Sequence, residues 1–255
     1  MMYFVNRYVL GIALTLITAF SYGAEPDWTD YRAVLEHIRP GNKNGVSLML
    51  VDYKTIRDDG SLDRAYQALS TFPVASLAGR EEKLAFYINA YNILALKMVA
   101  DHWPLKSIKD VGSWFSPVWK KPSGELGGKV VTLDEVEHEI LRPMGEPRMH
   151  MAVVCASVSC PDLRKEPFVA AKLDEQLNDQ ATKFLNNAGK GLRVSKETIR
   201  VSKETIRVSK IFDWFEKDFS GQGGVEAFVR RYHPDLPDYR LKANIPYDWA
   251  VNALR

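Results

Sequence analysis

This chain of 255 residues is poor in the residue types that most often identify a chemistry. It has only two cysteines and five histidines, and its 34 Lys and Arg residues nearly balance 32 Asp and Glu residues. Acidic and basic residues are scattered rather than grouped in blocks, so the sequence does not indicate nucleic-acid binding. The cysteines lack the paired Cys and His spacings typical of zinc sites, so we predict neither a metal nor a cofactor.

Long apolar runs are also scarce, and the clearest lies at the N-terminus. Arg7 is followed by an apolar run over residues 9–20 and then by the small residues Gly23 and Ala24. This order is typical of a secretory signal peptide, which we assign to residues 1–24. The run is shorter than the roughly 20 residues that a transmembrane helix needs, although an uncleaved anchor is the alternative. We therefore expect an exported protein, periplasmic or extracellular, with no transmembrane span after cleavage of the signal.

The rest of the chain can bury a full core, since 46% of all residues are hydrophobic. We predict a single α+β domain over residues 25–255, mainly helical with a small antiparallel sheet. Residues 25–80 would form a helical N-terminal part and residues 81–255 the core. The Gly and Asn residues at positions 41–45 are interpreted as the stop of the first helix. Helices are predicted at residues 25–40, 62–69, 81–102, 132–144, 168–188, 211–219 and 223–232.

One segment repeats itself: RVSKETI at residues 193–199 is followed at once by a second copy at residues 200–206. A copied stretch of this length is shorter than the repeats of solenoid proteins. Val, Thr and Ile favour strands, so we predict short strands that turn near Lys196 and near Lys203. Residues 234–246 are predicted to form an irregular loop.

Both cysteines lie in one segment, RMHMAVVCASVSCPDLR, at residues 148–164. Its apolar run at residues 149–154 precedes small residues, so we predict a buried strand that ends at Cys155. A thiol at the end of a strand, beside a loop, is well placed for reactivity. Alternatively, Cys155 pairs with Cys160 in a disulfide, as an oxidising compartment permits. The two interpretations exclude each other in any one redox state.

The longest predicted helix, residues 81–102, is apolar on nearly all sides and therefore belongs in the core. Asn89 and Asn92 lie three residues apart on one face of it, and buried amides need hydrogen-bonding partners. They either hold the backbone of a neighbouring loop or line a site, and both apply if that loop contains Cys155. The aromatic-rich loop that follows the helix carries Trp114, which would either line a pocket or cap the core.

The helix that starts at Thr132 has a capping box, because Glu135 follows three residues later. Glu137 falls within its apolar face, and His138 lies at the edge of that face, one turn from Arg142. A half-buried histidine beside a glutamate can act as a general base with its orienting group. The alternative is an ordinary histidine that is satisfied by a neighbouring carbonyl or carboxylate.

Five motifs occur together in this chain: FYINAYNILAL from residue 86, LDEVEHEILR from residue 133, the segment with both cysteines, SKIFDWFEKDF from residue 209 and the terminal PYDWAVN. In combination they resemble the domain of unknown function 547 family over about residues 80–252. The resemblance implies an exported or membrane-attached bacterial protein, with plant relatives and no settled activity. The second RVSKETI copy departs from the family pattern. The residues that match the pattern here are Asn89, Tyr91, Asn92, Glu137, His138, Arg142, His150, Cys155, Cys160, Pro161, Trp214 and Asp248.

The first functional hypothesis is a thiol hydrolase or acyl transferase with papain-like logic. Cys155 would be the nucleophile, His138 the base and Glu137 the orienting group. Loop amides after the cysteine, together with Asn89 or Asn92, would stabilise the oxyanion. The substrate would be a peptide or a cell-wall crosslink.

Two further hypotheses remain open. One is a non-enzymatic envelope module that binds a small-molecule or peptide ligand and is stapled by a Cys155–Cys160 disulfide. The other, which is weaker, is a metal site formed by His138, His150 and the cysteines. His150 is also a rival base, but in an unbroken strand its side chain would point away from Cys155, which favours His138. The candidate binding residues are Asn89, Asn92, Trp114, Arg142 and His150.

Overall fold

The computed structural model describes residues 25–195, 204–236 and 239–254. Within them the chain is mainly helical with small sheets, which confirms the predicted α+β class. The signal peptide predicted at residues 1–24 lies outside the described residues. In the described part, no helix is both long enough and apolar enough to span a bilayer.

The α-helices of the described residues are α1 (Thr29–Leu35), α2 (Tyr53–Asp58), α3 (Ser61–Thr71), α4 (Arg80–Asp101), α5 (Leu173–Leu185), α6 (Ile211–Trp214) and α7 (Gly224–Tyr232). The strands are β1 (Ile38–Lys43), β2 (Val46–Val51), β3 (Pro122–Leu126), β4 (Lys129–Thr132), β5 (Leu192–Ser195), β6 (Glu204–Ser209) and β7 (Tyr239–Ile245). A π-helix covers Glu135–Leu141. Short 3-10 helices lie at Val74–Ser76, Ile108–Val111, Val118–Lys120, Arg142–Met144, Pro147–Met151, Ala170–Lys172 and Glu216–Gln222.

The main hydrophobic core is built around α4, which is buried on nearly all sides. Its first turn is capped by Glu82, whose carboxylate accepts hydrogen bonds from the backbone N–H groups of Ala78 and Gly79 at 2.8 and 3.1 Å. The helix predicted at residues 81–102 is therefore confirmed. An all-apolar helix can be stable only in the interior, so the other elements pack around it.

The helix predicted at residues 25–40 is wrong in its second half. α1 ends at Leu35, and β1 then pairs with β2 across a turn at Asn44 and Gly45. Both turn residues have positive φ angles, 52° and 81°, as a tight Asn-Gly hairpin requires. Asn44 and Gly45 therefore form the turn of a β-hairpin and do not mark the end of a helix.

The strand predicted at residues 149–154 is also wrong. Residues Pro147–Met151 form a 3-10 helix, and the chain then continues without regular structure. The buried side chain of Asn92 takes the place of a neighbouring strand. Its Nδ2 donates to the Ala152 carbonyl at 3.0 Å, and its Oδ1 accepts from the Val154 N–H at 2.8 Å. Apolar periodicity could not reveal this, because the groups that satisfy the backbone come from a helix side chain.

The helix predicted at residues 132–144 begins as expected and then changes its winding. The Glu135 carboxylate accepts from the Thr132 N–H at 2.7 Å, and the Thr132 hydroxyl accepts from the Glu135 N–H at 3.0 Å. Beyond this capping box the chain forms the π-helix and ends in the 3-10 helix Arg142–Met144. The wider turn of a π-helix changes which side chains share a face, and such segments are frequent at functional sites.

The loop predicted at residues 234–246 contains strand β7, so that prediction is wrong. β7 runs parallel to β6, with Ile206 opposite Leu241. Alternate residues of YRLKANI are apolar, which is the pattern of a half-buried strand. β5 pairs antiparallel with β6, in agreement with the predicted strands. The predicted turns near Lys196 and Lys203 lie outside the described residues.

The C-terminal tail, residues 246–254, joins β2 to the loop between the two cysteines. The Val51 N–H donates to the Asn252 carbonyl at 2.9 Å, and the Asn252 N–H donates to the Ala156 carbonyl at 3.1 Å. The tail thus carries its own aromatic residues to the cysteine loop and holds that loop in place.

Asn92→Ala should destabilise the protein by at least about 2 kcal/mol, because it leaves the buried Ala152 carbonyl and Val154 N–H without partners. Urea unfolding would measure the loss. The matched control is Asn42→Ala, at an exposed position of β1, which should change the free energy of unfolding by less than about 0.5 kcal/mol. Equal effects of the two substitutions would contradict the role given to the Asn92 amide.

Candidate functional site

One cleft brings together most of the predicted site residues. Cys155 and Cys160 line it from their loop, Glu137 and His138 from the π-helix, and His150 from the 3-10 helix Pro147–Met151. Residues that are far apart in sequence therefore share one cavity. We refer to this cavity as the cleft.

Cys155 and Cys160 are joined by a disulfide. The Cys155 residue is partly exposed, whereas Cys160 is buried. Because both sulfurs are bonded to each other, this redox state contains no thiolate nucleophile. A disulfide is compatible with the oxidising, exported location that the sequence predicts.

Three donors contact the disulfide. The Ser157 hydroxyl lies 3.3 Å from the Cys155 sulfur. The Cys155 N–H lies 2.9 Å from the Cys160 sulfur. The Tyr247 hydroxyl lies 3.2 Å from the Cys155 sulfur and 3.1 Å from the Cys160 sulfur. A disulfide sulfur carries no hydrogen, so the Tyr247 hydroxyl is the donor to both sulfurs.

Ala156, which follows Cys155 in the sequence, has a φ of 57°. Non-glycine residues adopt this left-handed conformation mainly where the surrounding structure enforces it.

Glu137 projects from the π-helix into the cleft, where the Tyr91 hydroxyl hydrogen-bonds to it. Burial raises the pKa of Glu137 to about 7, although the hydrogen bond from Tyr91 and the positive charge of Arg142 oppose the shift. A carboxyl group with this pKa exchanges its proton near neutral pH, which is a property of general acids and bases.

His138 contacts two other residues of its own helical segment. Its Nδ1 lies 2.9 Å from Nη1 of Arg142, and its Nε2 lies 3.6 Å from Oδ1 of Asp134. The guanidinium can only donate, so Nδ1 is the acceptor and the proton of the neutral ring is on Nε2. The polar partners of His138 are thus Asp134 and Arg142. Glu137, the predicted orienting group, is hydrogen-bonded to Tyr91 instead.

His150 reaches the cleft as well, and the argument that placed it on the opposite face is wrong because there is no strand. Its Nε2 donates to Asp218 Oδ2 at 2.8 Å, and its ring stacks on Phe215 with centroids 4.1 Å apart. Arg142 donates to both carboxylate oxygens of Asp218, at 2.6 and 2.8 Å. Burial raises the pKa of Asp218, but the hydrogen bonds from His150 and Arg142 outweigh it and hold that pKa well below its usual range. Burial lowers the pKa of His150, although Asp218 opposes the shift.

An aromatic wall formed by Trp119, Trp214, Tyr247 and Trp249 completes the cleft. Tyr247 and Trp249 have centroids 4.5 Å apart, and Trp214 and Tyr247 lie 4.8 Å apart. Trp119 belongs to the aromatic-rich loop from which Trp114 was predicted either to line a pocket or to cap the core. Trp114 is 92% exposed and does not line the cleft. The two aromatic residues of the terminal YDW motif, Tyr247 and Trp249, are the feature of the sequence that could have indicated this part of the wall.

Asn89 and Asn92 lie beneath the cleft rather than in its lining. The Asn89 side chain donates to the Phe168 carbonyl at 2.8 Å and accepts from the Phe168 N–H at 2.9 Å. Asn92 holds the backbone before the cysteine loop in the same way. Both amides thus fix backbone segments, and Asn92 supports the loop that carries Cys155. In the described part of the chain, no group of three or more His, Cys, Asp and Glu residues is arranged to hold a metal ion.

Residues 74–185 match the family model described as "Protein of unknown function, DUF547". The resemblance that the motifs indicate is therefore confirmed over this segment, which includes both cysteines, Glu137, His138 and His150. Trp214 and Tyr247 lie beyond it. No curated protein and no solved structure matches the chain.

Glu137→Gln should change the pH dependence of stability. The pKa of Glu137 is about 7 in the folded protein and 4.5 ordinarily. The contribution of the protonated carboxyl group to the free energy of unfolding is therefore fully present below pH 4.5. It is lost as pH rises through about 7. We expect the free energy of unfolding of the wild type to fall relative to the variant by up to about 3 kcal/mol over this interval.

Urea unfolding of both proteins at several pH values between 4.5 and 8 measures the difference. Glu139→Gln, at an exposed position of the same helix, is the control and should give a difference that does not change with pH. A constant difference for Glu137→Gln as well would contradict the raised pKa.

Proposed function

We propose that this chain, with a family domain of unknown function over residues 74–185, is an exported module that binds a positively charged small molecule or peptide side chain in the cleft. The observation that carries the proposal is the composition of the cleft. It combines an aromatic wall with the carboxyl groups of Asp134 and Glu137, and no Lys or Arg is among its described lining residues. Cationic groups bind favourably to such surfaces.

The aromatic wall already attracts a cation within the protein. The Lys109 ammonium lies 3.6 Å from the ring centroid of Trp249. An organic ammonium of a ligand that enters the cleft would use the same interaction with Trp214 and Tyr247.

The carboxyl groups supply the complementary charge. Asp134 faces the cleft, and Glu137 can lose its proton when a cation approaches, because its pKa lies near neutrality. The Cys155–Cys160 disulfide keeps the cysteine loop in the conformation that lines the cavity, which reduces the conformational entropy lost on binding.

Benzylamine and benzoate test this proposal, because they have similar size and opposite charge. Titrated into the oxidised protein and followed by ligand-observed NMR, benzylamine should bind with a dissociation constant on the order of 1 mM. Benzoate should bind at least about tenfold more weakly. Trp214→Leu should weaken benzylamine binding about fivefold or more.

The control for this substitution is Trp114→Leu, which removes an exposed tryptophan outside the cleft and should leave benzylamine binding unchanged. Equal binding of benzoate and benzylamine, or equal effects of the two tryptophan substitutions, would contradict the proposed function.

A second candidate, a thiol hydrolase or acyl transferase, applies to the reduced form. It is favoured by one observation: Cys155, His138 and Glu137 line the same cleft. In that form the Cys155 thiolate would attack an acyl carbonyl, and His138 would protonate the leaving group. Water or an amine would then release the acyl group from the sulfur. A peptide or a cell-wall crosslink is the proposed substrate.

Cys160→Ala frees Cys155 without a reductant and therefore separates the two candidates. With p-nitrophenyl acetate as substrate, this variant should release nitrophenolate from an acylated Cys155. The double variant with His138→Ala should react roughly 100-fold more slowly. If Cys160→Ala is no more reactive than Cys155→Ala, the enzyme candidate is wrong.

A further inference from the structure

We propose that the Cys155–Cys160 disulfide is a redox-active centre that exchanges with small-molecule thiols, in which Cys155 is the sulfur attacked and Cys160 is the leaving thiolate. This activity goes beyond ligand binding and does not depend on the charge of the ligand. The exchange would also generate the reduced form that the hydrolase candidate needs.

The first argument is the unequal exposure of the two sulfur-bearing residues. Cys155 is partly exposed at the cleft, whereas Cys160 is 3% exposed. Thiol–disulfide exchange requires an incoming thiolate to reach one sulfur in line with the bond that breaks. Both residues line the cleft, but the more exposed Cys155 is the more accessible to an incoming thiol, and attack there releases Cys160.

The second argument is the stabilisation of the leaving group. The Cys160 sulfur accepts the Cys155 N–H at 2.9 Å and the Tyr247 hydroxyl at 3.1 Å. Hydrogen bonds to a thiolate favour the charged form, and a thiol of lower pKa leaves faster. Tyr247 is shared with the Cys155 sulfur, and the Ser157 hydroxyl lies 3.3 Å from the Cys155 sulfur alone. That hydroxyl can rotate to donate to the Tyr247 oxygen at 3.3 Å instead, whereas the backbone N–H that contacts Cys160 is fixed in direction and therefore distinguishes the two positions.

The third argument is that hydrogen bonds to the C-terminal tail hold the loop in addition to the disulfide. The Val158 N–H donates to the Ala250 carbonyl at 2.9 Å, and the Ser159 N–H donates to the Asp248 carbonyl at 3.2 Å. These bonds to the C-terminal tail would remain after reduction. The two thiols would therefore stay close enough to form the disulfide again, as a reversible centre requires.

The exchange proceeds in two balanced steps. In the first, a thiolate RS⁻ forms a bond to the Cys155 sulfur, the Cys155–Cys160 bond breaks, and Cys160 leaves as a thiolate. In the second step, another RS⁻ attacks the outer sulfur of the mixed disulfide, the one that belongs to the RS group bonded to Cys155. RSSR leaves, and Cys155 becomes a thiolate. Two electrons pass from two small thiols to the protein disulfide, and the two protons that these thiols release on ionisation are taken up, through the solvent, by the cysteine thiolates.

The site of attack can be mapped with 2-mercaptoethanol, an uncharged thiol whose reaction does not depend on the charge preference of the cleft. The oxidised wild-type protein is treated under native conditions, quenched with acid, alkylated and analysed by peptide mass spectrometry. We expect the 2-mercaptoethanol adduct on Cys155 and the alkyl group on Cys160. An adduct on Cys160, equal adducts on both, or no reaction until the protein is unfolded would overturn the proposal.

The role of the hydroxyl is tested by Tyr247→Phe, which should slow reduction by 2-mercaptoethanol roughly fivefold through loss of one hydrogen bond to the leaving thiolate. The matched control is Tyr232→Phe, whose hydroxyl donates to Asn178 outside the cleft, and its rate should equal that of the wild type. Equal rates for both variants would remove Tyr247 from the mechanism.

An unstructured peptide with a single cysteine forms the last arm of the experiment. It should react more slowly than 2-mercaptoethanol, and faster reaction would overturn the assignment to small thiols in favour of a protein thiol. Benzylamine binding is measured on the oxidised protein without any thiol. A redox-inert disulfide and a cleft that does not bind cations are therefore distinguishable results.

Discussion

The two hydrogen bonds between the Asn92 side chain and the backbone around Val153 are the interaction on which the cleft depends. Irregular backbone beside a buried, mostly apolar helix is unstable unless its carbonyl and N–H groups are satisfied. Asn92 satisfies one of each from within α4. The chain can therefore leave the 3-10 helix Pro147–Met151 and enter the cysteine loop without a strand partner. Because α4 is rigid and buried, this contact also fixes the position of Cys155.

The fold places two carboxyl groups, those of Glu137 and Asp218, in contrasting environments. Glu137 has few compensating contacts, so burial raises its pKa to about 7. Asp218 receives hydrogen bonds from Arg142 and His150 that hold its pKa well below the usual range. One carboxyl group can thus exchange a proton near neutral pH, while the other keeps its charge and positions a histidine and an arginine. This division is suited to a site that recognises or transfers charge.

The sequence predicts local structure correctly where the residue pattern fits only one type of element. The apolar α4 helix and the Thr132 capping box could be read from residue types and spacing. The meeting of Glu137, His138 and the cysteines in one region was a hypothesis that spacing alone does not establish. The failures have local causes as well. Gly and Asn residues such as those at positions 44 and 45 occur both at helix ends and in hairpin turns, and the alternation in β7 is short. The position of His150 followed from a strand that does not exist. In each case a short pattern was compatible with two structures, and only long-range pairing distinguishes them.

The sequence by itself determined the composition of the site, because the motifs that carry Glu137, His138 and the two cysteines are intact in the linear chain. It also determined the α+β class through the spacing of apolar residues. Only the tertiary structure decided that Tyr247 contacts both sulfurs and that aromatic residues of the tail, together with Trp119 and Trp214 but not Trp114, line the cleft. The reason is physical: these contacts join residues about 90 positions apart, and periodicity describes only neighbours within a few turns of the same element.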